Sequence, residues 1–82
     1  MINVLFFASL REQLNCDRVS LPLQTIDSIS CLKAALIKSH PHWNNHLQNT
    51  TLLYAVNNNI VTEDHVVVDG DEVAIFPPVT GG

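Results

Sequence analysis

The segment that most constrains the fold is the almost unbroken apolar run from Ile2 to Ala8. A short run of this kind predicts a central strand covered on both faces, because a strand with one solvated face alternates polar and apolar residues. The chain has 82 residues, which is enough for one small domain. Its 46% hydrophobic and 15% charged residues exclude a disordered chain. We therefore expect one folded domain built on this strand.

The next segments predict a hairpin and one long helix. Residues 9–14 suggest a short helical turn, with Ser9 as its N-cap and Glu12 completing a capping box. Residues 18–23 then alternate and predict a strand that pairs with residues 2–8. Asp27 or Ser28 is expected to cap the long helix, which Pro41 ends. An apolar stripe on this helix is expected to face the core and comprises Ile29, Leu32, Leu36 and Ile37.

The second half of the chain predicts further strands. Residues 42–50 are expected to form a loop held to the core by Trp43 and Leu47. Strands are expected at 51–56 and 72–76, with a short return strand at 60–62 and a turn at Asp69-Gly70-Asp71.

The order of these elements predicts an α+β fold, with the helix on one face of a mixed sheet. The right-handed crossover rule places the last strand beside the first, in the middle of the sheet. This arrangement is a β-grasp roll. We expect a domain at residues 1–76 and an extended tail at residues 77–82.

Charge and composition exclude several classes of partner. The net charge is −4, and the four basic residues Arg11, Arg18, Lys33 and Lys38 are scattered, so nucleic acid is not expected as a partner. No apolar run is long enough to span a membrane, and no secretory signal is evident. Cys16 and Cys31 are too few for a disulfide framework, which favours a cytoplasmic protein with reduced thiols.

The C-terminal segment has the features of a tail that can be inserted into a partner protein. Pro77 and Pro78 stiffen the chain, and Gly81 and Gly82 form a slim tip without Cβ atoms. From Pro77 to Gly82 the tail reaches roughly 20 Å. Its terminal carboxylate becomes a reactive acyl donor once it is converted to an acyl-adenylate. The alternative is an ordinary frayed terminus.

The sequence resembles a known family along its whole length. The segment from Asp69 to Gly82, ending in Phe-Pro-Pro-Val-Thr-Gly-Gly, is similar to the C-terminal signature of the small, sulfur-carrying subunits of molybdopterin synthase, of the MoaD/ThiS ubiquitin-like type. Residues 4–8, Arg11-Glu12, residues 55–57 and Asp64-His65 match that family as well. Departures are confined to residues 15–31 and 44–51.

The resemblance implies a sulfur carrier. An E1-like activating enzyme would use ATP to adenylate Gly82, and sulfur transfer would then give a Gly82 thiocarboxylate. The tail would enter the large synthase subunit of a heterotetramer and donate sulfur to cyclic pyranopterin monophosphate. The catalytic side chains would belong to that large subunit, and this chain would bind no cofactor of its own. The alternatives are a sulfur carrier for thiamin or tRNA thiolation, and a β-grasp interaction module without sulfur chemistry.

Strand parity and position suggest the residues that contact partners. If Val73 and Ile75 face the helix, Phe76 faces outward at the base of the tail; the alternative is that Phe76 packs under a loop. The other candidates are Ile60, Arg11 and the tail residues Pro77, Pro78, Val79 and Thr80, with Gly81 beside the reactive Gly82. Arg11 can equally be interpreted as an ordinary solvated side chain.

Two other groups of residues offer alternative sites. His40, His42 and His46 have a spacing that three zinc ligands can adopt, but surface histidines are the favoured interpretation and no metal site is expected. Cys16 and Cys31 are the rival positions for carrying sulfur.

Overall fold

The computed structural model describes residues 1–22, 27–48 and 52–78. Within them the strands are β1 (Ile2–Phe6), β2 (Arg18–Leu21), β3 (Leu53–Val56), β4 (Asn59–Val61) and β5 (Glu72–Phe76). The helices are α1 (Ala8–Leu14), α2 (Ile29–Ser39) and α3 (Asn44–Leu47), with a 3₁₀ turn at Pro41–Trp43. The five strands form one mixed sheet in the order β2-β1-β5-β3-β4. The expected β-grasp roll is confirmed.

The first and last strands lie side by side in parallel at the centre of the sheet, as the crossover rule predicts. Val4 pairs with Val73 and Phe6 with Ile75. These four side chains are at most 1% exposed and face the helices. We call this helix-covered side of the sheet the inner face and the opposite side the outer face.

Burial on both faces of β1 was expected but is not found. Leu5, on the outer face, is only half-buried, and Phe7, just after the strand, is 44% exposed. The buried residues of all three helices belong to the core on the inner face. The apolar run is therefore longer than the monomer's own core requires.

Helix α2 is tied through its first turn to the loop that follows β4. The Ser28 hydroxyl accepts a hydrogen bond from the Cys31 amide at 3.3 Å, so Ser28 is the cap. The amides of Ile29 and Ser30 donate to the carbonyls of His65 and Glu63, at 3.2 and 3.1 Å. The loop after β4 thus satisfies the free donors of the helix start. The helix ends at Ser39, before Pro41, as predicted.

The predicted capping box of α1 is wrong. The N-cap is Phe7, which makes no side-chain capping bond, and Ser9 lies inside the helix. The Phe7 amide still donates to the Ile75 carbonyl at 3.2 Å, so the chain must leave the sheet and enter the helix within one residue. Ala8 makes this change of direction with φ of 56°, a left-handed conformation that is strained for alanine.

The segment predicted as a loop over residues 42–50 is mostly helical, as the 3₁₀ turn and α3. Trp43 and Leu47 are buried in the core, as predicted. The Trp43 ring meets the Phe6 ring edge-on, with centroids 5.4 Å apart. Residues 49 and 50 of the predicted loop, and residue 51 of the predicted strand, lie outside the described residues, as does residue 23 of the predicted strand 18–23.

Asparagine and aspartate side chains fix the register of β5. Asn57 and Asn58 have φ of 49° and 73°, which gives the two-residue turn between β3 and β4 the geometry of type I′. The Asn57 side chain donates to the buried Asp71 carboxylate at 3.0 Å and accepts from the Glu72 amide at 3.1 Å. Asp71 also accepts from the Val68 amide at 2.8 Å. The start of β5 is therefore held from two sides.

Candidate functional site

The tail begins at the centre of the sheet. Phe76 is the last residue of β5, which lies between β1 and β3. Pro77 is half-buried and Pro78 is exposed. The candidates Val79, Thr80, Gly81 and Gly82 lie outside the described residues. The tail root, Phe76 and Pro77, thus continues a strand that is paired on both sides, and it lies beside Phe7.

The outer face at this end of the sheet is apolar. The register aligns Leu5, Ala74, Ala55 and Ile60 across four strands, and it pairs Leu53 with Phe76. Paired residues point to the same side of a sheet, so these side chains share the outer face. We call this set, together with Phe7, the outer apolar patch: Leu5, Phe7, Leu53, Ala55, Ile60, Ala74 and Phe76.

Exposure within the outer apolar patch is substantial. Ile60 is 66% exposed and Leu53 37%, while Phe76 is half-buried. The other end of the outer face is polar: Ser20 donates to Asn3 at 2.8 Å, and Asn3 pairs with Glu72. On the outer face the paired apolar residues therefore lie towards the end of the sheet from which the tail starts, as in a docking surface. Met1, Val66 and Val68 are exposed elsewhere on the domain.

The structure brings together most of the candidates that lie within the described residues. Phe76, Pro77 and Ile60 lie at or beside the outer apolar patch. Arg11 is exposed on α1 and lines a shallow depression with Leu5, Phe7 and Arg18. Whether these residues contact a partner stays a prediction.

Sequence reasoning missed Phe7 and Leu53. Both lie within the segments predicted as strands, residues 2–8 and 51–56, but these segments are too uniformly apolar for alternation to show which side chains face outward. The signal that was present is the extension of the apolar run past the strand, to Phe7 and Ala8.

A polar cluster on the inner side joins α2 to β3 and to the loop after β4. The Lys33 ammonium bonds to the Glu63 carboxylate and lies 3.2 Å from the Tyr54 hydroxyl, which donates to Glu63 at 3.3 Å. Burial opposes the charge of Lys33, but the bonds to Glu63 and Tyr54 outweigh it and raise the pKa of Lys33. The bond from Lys33 lowers the pKa of Glu63, and burial raises the pKa of Tyr54. The cluster ties helix α2 to β3 and to the loop after β4 on the inner side of the sheet, opposite the outer apolar patch.

The histidines and cysteines form no common site. Among residues 1–22, 27–48 and 52–78, no three His, Cys, Asp or Glu side chains are arranged to hold a metal ion. His40 is not an ordinary surface residue, because its ring stacks on Trp43 with centroids 3.9 Å apart. The Cys16 thiol donates to the Arg18 carbonyl at 3.2 Å, and Cys31 packs half-buried against the core. The described helices include none long and apolar enough to cross a membrane.

Comparisons with known proteins agree with this geometry. The model of the ThiS family matches residues 4–82. The molybdopterin synthase sulfur carrier subunit of Escherichia coli is 42% identical over 82 residues, covering 100% of both chains. The crystal structure of SAMP1 from Haloferax volcanii superposes with a TM-score of 0.83 at 23% identity, covering 99% of this chain and 98% of that one.

A further solved structure is a complex of subunits 1 and 2 of the molybdopterin-converting factor from Helicobacter pylori. One of its chains superposes with a TM-score of 0.66 at 20% identity, covering 99% of this chain and 97% of that one. At this identity the likeness concerns the fold.

Proposed function

The chain belongs to the ThiS family, and from this premise we propose that it is the sulfur carrier subunit of a molybdopterin synthase. The observation that carries the proposal is the full-length identity of 42% to a protein of that name, in a chain that ends in Phe-Pro-Pro-Val-Thr-Gly-Gly. The position of the tail root supports it, since a tail that visits a partner's active site needs a rigid base.

The chemistry proposed for Gly82 proceeds in three steps. An activating enzyme joins the Gly82 carboxylate to the AMP part of ATP and releases pyrophosphate. Hydrosulfide from the sulfur source then attacks the acyl carbon, forms the carbon–sulfur bond and displaces AMP, which leaves a thiocarboxylate. In the synthase, the thiocarboxylate sulfur is donated to cyclic pyranopterin monophosphate, and water restores the Gly82 carboxylate. Two such donations supply the two sulfurs of the dithiolene.

The partners proposed are the activating enzyme and the large synthase subunit, with two small and two large subunits in a heterotetramer. The complex from Helicobacter pylori pairs a chain of this fold with a subunit 2. The outer apolar patch is the surface we assign to the large subunit, because it adjoins the tail root and is uncovered in the monomer. Docking there converts sulfur transfer from a bimolecular to a tethered reaction, which raises the effective concentration of sulfur at the acceptor.

The length of the tail sets the geometry of delivery. Pro78 is already exposed at the surface of the domain. The four residues from Val79 to Gly82 then span at most about 14 Å when extended. The reactive carbon must therefore work within that distance of the docked surface, so small changes in tail length are expected to abolish transfer.

The experiment is reconstitution of molybdopterin formation with purified large subunit, activating enzyme, ATP, a sulfur source and cyclic pyranopterin monophosphate. The unaltered chain is expected to support product formation. A chain lacking Gly82 and a chain with one alanine added after Gly82 are expected to support none, while melting at the same temperature as the unaltered chain. Lys38→Ala, on the exposed side of α2, is the control and is expected to retain full activity. Product formation by either tail variant would refute the proposal.

A further inference from the structure

Arg18 occupies a distinctive place on the outer face. It is the cross-strand partner of Leu5, so its side chain lies on the same face as the outer apolar patch and borders it. It is exposed, and it lines the same depression as Phe7 and Arg11. Two of the four basic residues of the chain thus lie together at the Leu5 and Phe7 side of the outer apolar patch, with β1 between Arg18 and the tail-bearing β5.

Both guanidinium groups are available for a partner. Neither Arg11 nor Arg18 forms an ion pair with a carboxylate in the described part of the chain. Asp17 lines the same depression, and Glu12 and Asp17 line the next one together with Arg11. These acids reduce the local positive potential, but they leave the donors of the two guanidinium groups unpaired.

The position of Arg18 matters because the chain as a whole carries a net charge of −4. The far end of the outer face adds the exposed carboxylate of Glu72. An acidic partner surface is therefore attracted to the end of this face that carries Arg18 and repelled by the end that carries Glu72. Guanidinium groups at the rim of an apolar contact orient a partner and speed its association more than they tighten the final complex.

We propose that Arg18, with Arg11, is a specificity-determining contact that pairs with carboxylates on the large synthase subunit beside the opening that receives the tail. This inference rests on the proposed function and adds the chemistry of the partner surface to it. The carboxylates would face the tail-root end of the outer face, and the partner surface opposite Ile60 and Leu53 would be apolar.

The test is the association rate of the full chain with purified large subunit, measured at low and at physiological salt. Arg18→Ala is expected to lower the association rate constant by roughly two- to fivefold at low salt and to weaken its salt dependence. Arg18→Glu is expected to lower it by about tenfold or more. Arg18→Lys is expected to restore part of the rate, since it keeps the charge but loses the planar fork of donors.

Lys38→Ala is the matched control, because it removes the same charge from the exposed side of α2, on the other side of the sheet. It is expected to associate at the rate of the unaltered chain. The inference is overturned if the unaltered chain binds but Arg18→Ala and Arg18→Glu behave as Lys38→Ala does. If the unaltered chain does not bind the large subunit at all, the proposed function itself fails. Thermal unfolding of each variant checks that the domain is intact.

Discussion

Ile60 is the residue at which the docking surface is most sharply tested. It is 66% exposed, at the edge of the outer apolar patch. Truncation to alanine removes three carbon groups, each worth about 0.8 kcal/mol when buried. About two thirds of this burial free energy contributes to binding, because the partner newly buries only the exposed two thirds of the side chain. Ile60→Ala is therefore expected to cost about 1.6 kcal/mol of binding, or roughly a 15-fold rise in Kd.

The assay is titration calorimetry of each variant against the purified large subunit. The chain offers a matched control in Val66, which is 64% exposed but lies beside Ser28 at the start of α2. Val66→Ala is expected to bind like the unaltered chain. Both variants are expected to change the free energy of unfolding by less than about 0.5 kcal/mol, since neither side chain is buried in the monomer. Equal affinities of Ile60→Ala and Val66→Ala would refute the assignment of the outer apolar patch.

Two further predictions concern the domain that supports the tail. Glu63→Gln is expected to cost about 1 kcal/mol of unfolding free energy, because a charge-assisted bond to Lys33 is lost from a carboxylate whose side chain is 45% exposed. The pKa of Glu63 is lowered by folding, so its contribution is present above the ordinary value of 4.5 and is lost as the pH falls below it. The difference between the unaltered chain and Glu63→Gln in urea unfolding should therefore shrink below that pH, and a constant difference would contradict this origin. Ala8→Gly is expected to stabilise the domain by about 0.5 kcal/mol, because glycine adopts the left-handed conformation without strain. Ala34→Gly, at an exposed position within α2, is expected to destabilise it by about 1 kcal/mol; a melting temperature that falls for both variants would show that Ala8 is not strained.

The parts of the fold that follow from local pattern were predictable. Alternation along residues 72–76 puts Val73 and Ile75 on one face of the strand, and of the two possible faces the structure shows that they occupy the core side. The crossover rule placed β5 beside β1, which fixed the tail root at the centre of the sheet. The two candidate caps, Asp27 and Ser28, and the stop at Pro41 located the ends of α2, because a cap and the missing N–H of proline act within a few residues.

The failed predictions depend on packing that the local sequence pattern does not show. Ser9 has the right spacing for a capping box, but the bond from Phe7 to Ile75 moves the helix start and leaves Ala8 left-handed. His40 was expected at the surface, and its stacking on Trp43 follows from how the 3₁₀ turn packs on the core. The apolar run at the N-terminus predicted burial on both faces of β1, whereas only the inner face is covered.

That last difference carries information about function. A sequence selected to fold alone would place polar residues at the outward positions of β1, as it does at Asn3. Leu5 and Phe7 instead continue the apolar pattern beside the tail root. The proposed docking of the large subunit would bury the outer face of β1, which is the burial on both faces that the sequence pattern predicted.

The central claim is that Gly82 carries the sulfur. The most direct measurement is the intact mass of the chain after incubation with the activating enzyme, ATP and a sulfur source, followed by fragmentation to locate the change. The account predicts a mass gain equal to the exchange of one oxygen for sulfur, located at Gly82, and no gain in a chain lacking Gly82. An unchanged mass, or a gain located at Cys16 or Cys31, would contradict it.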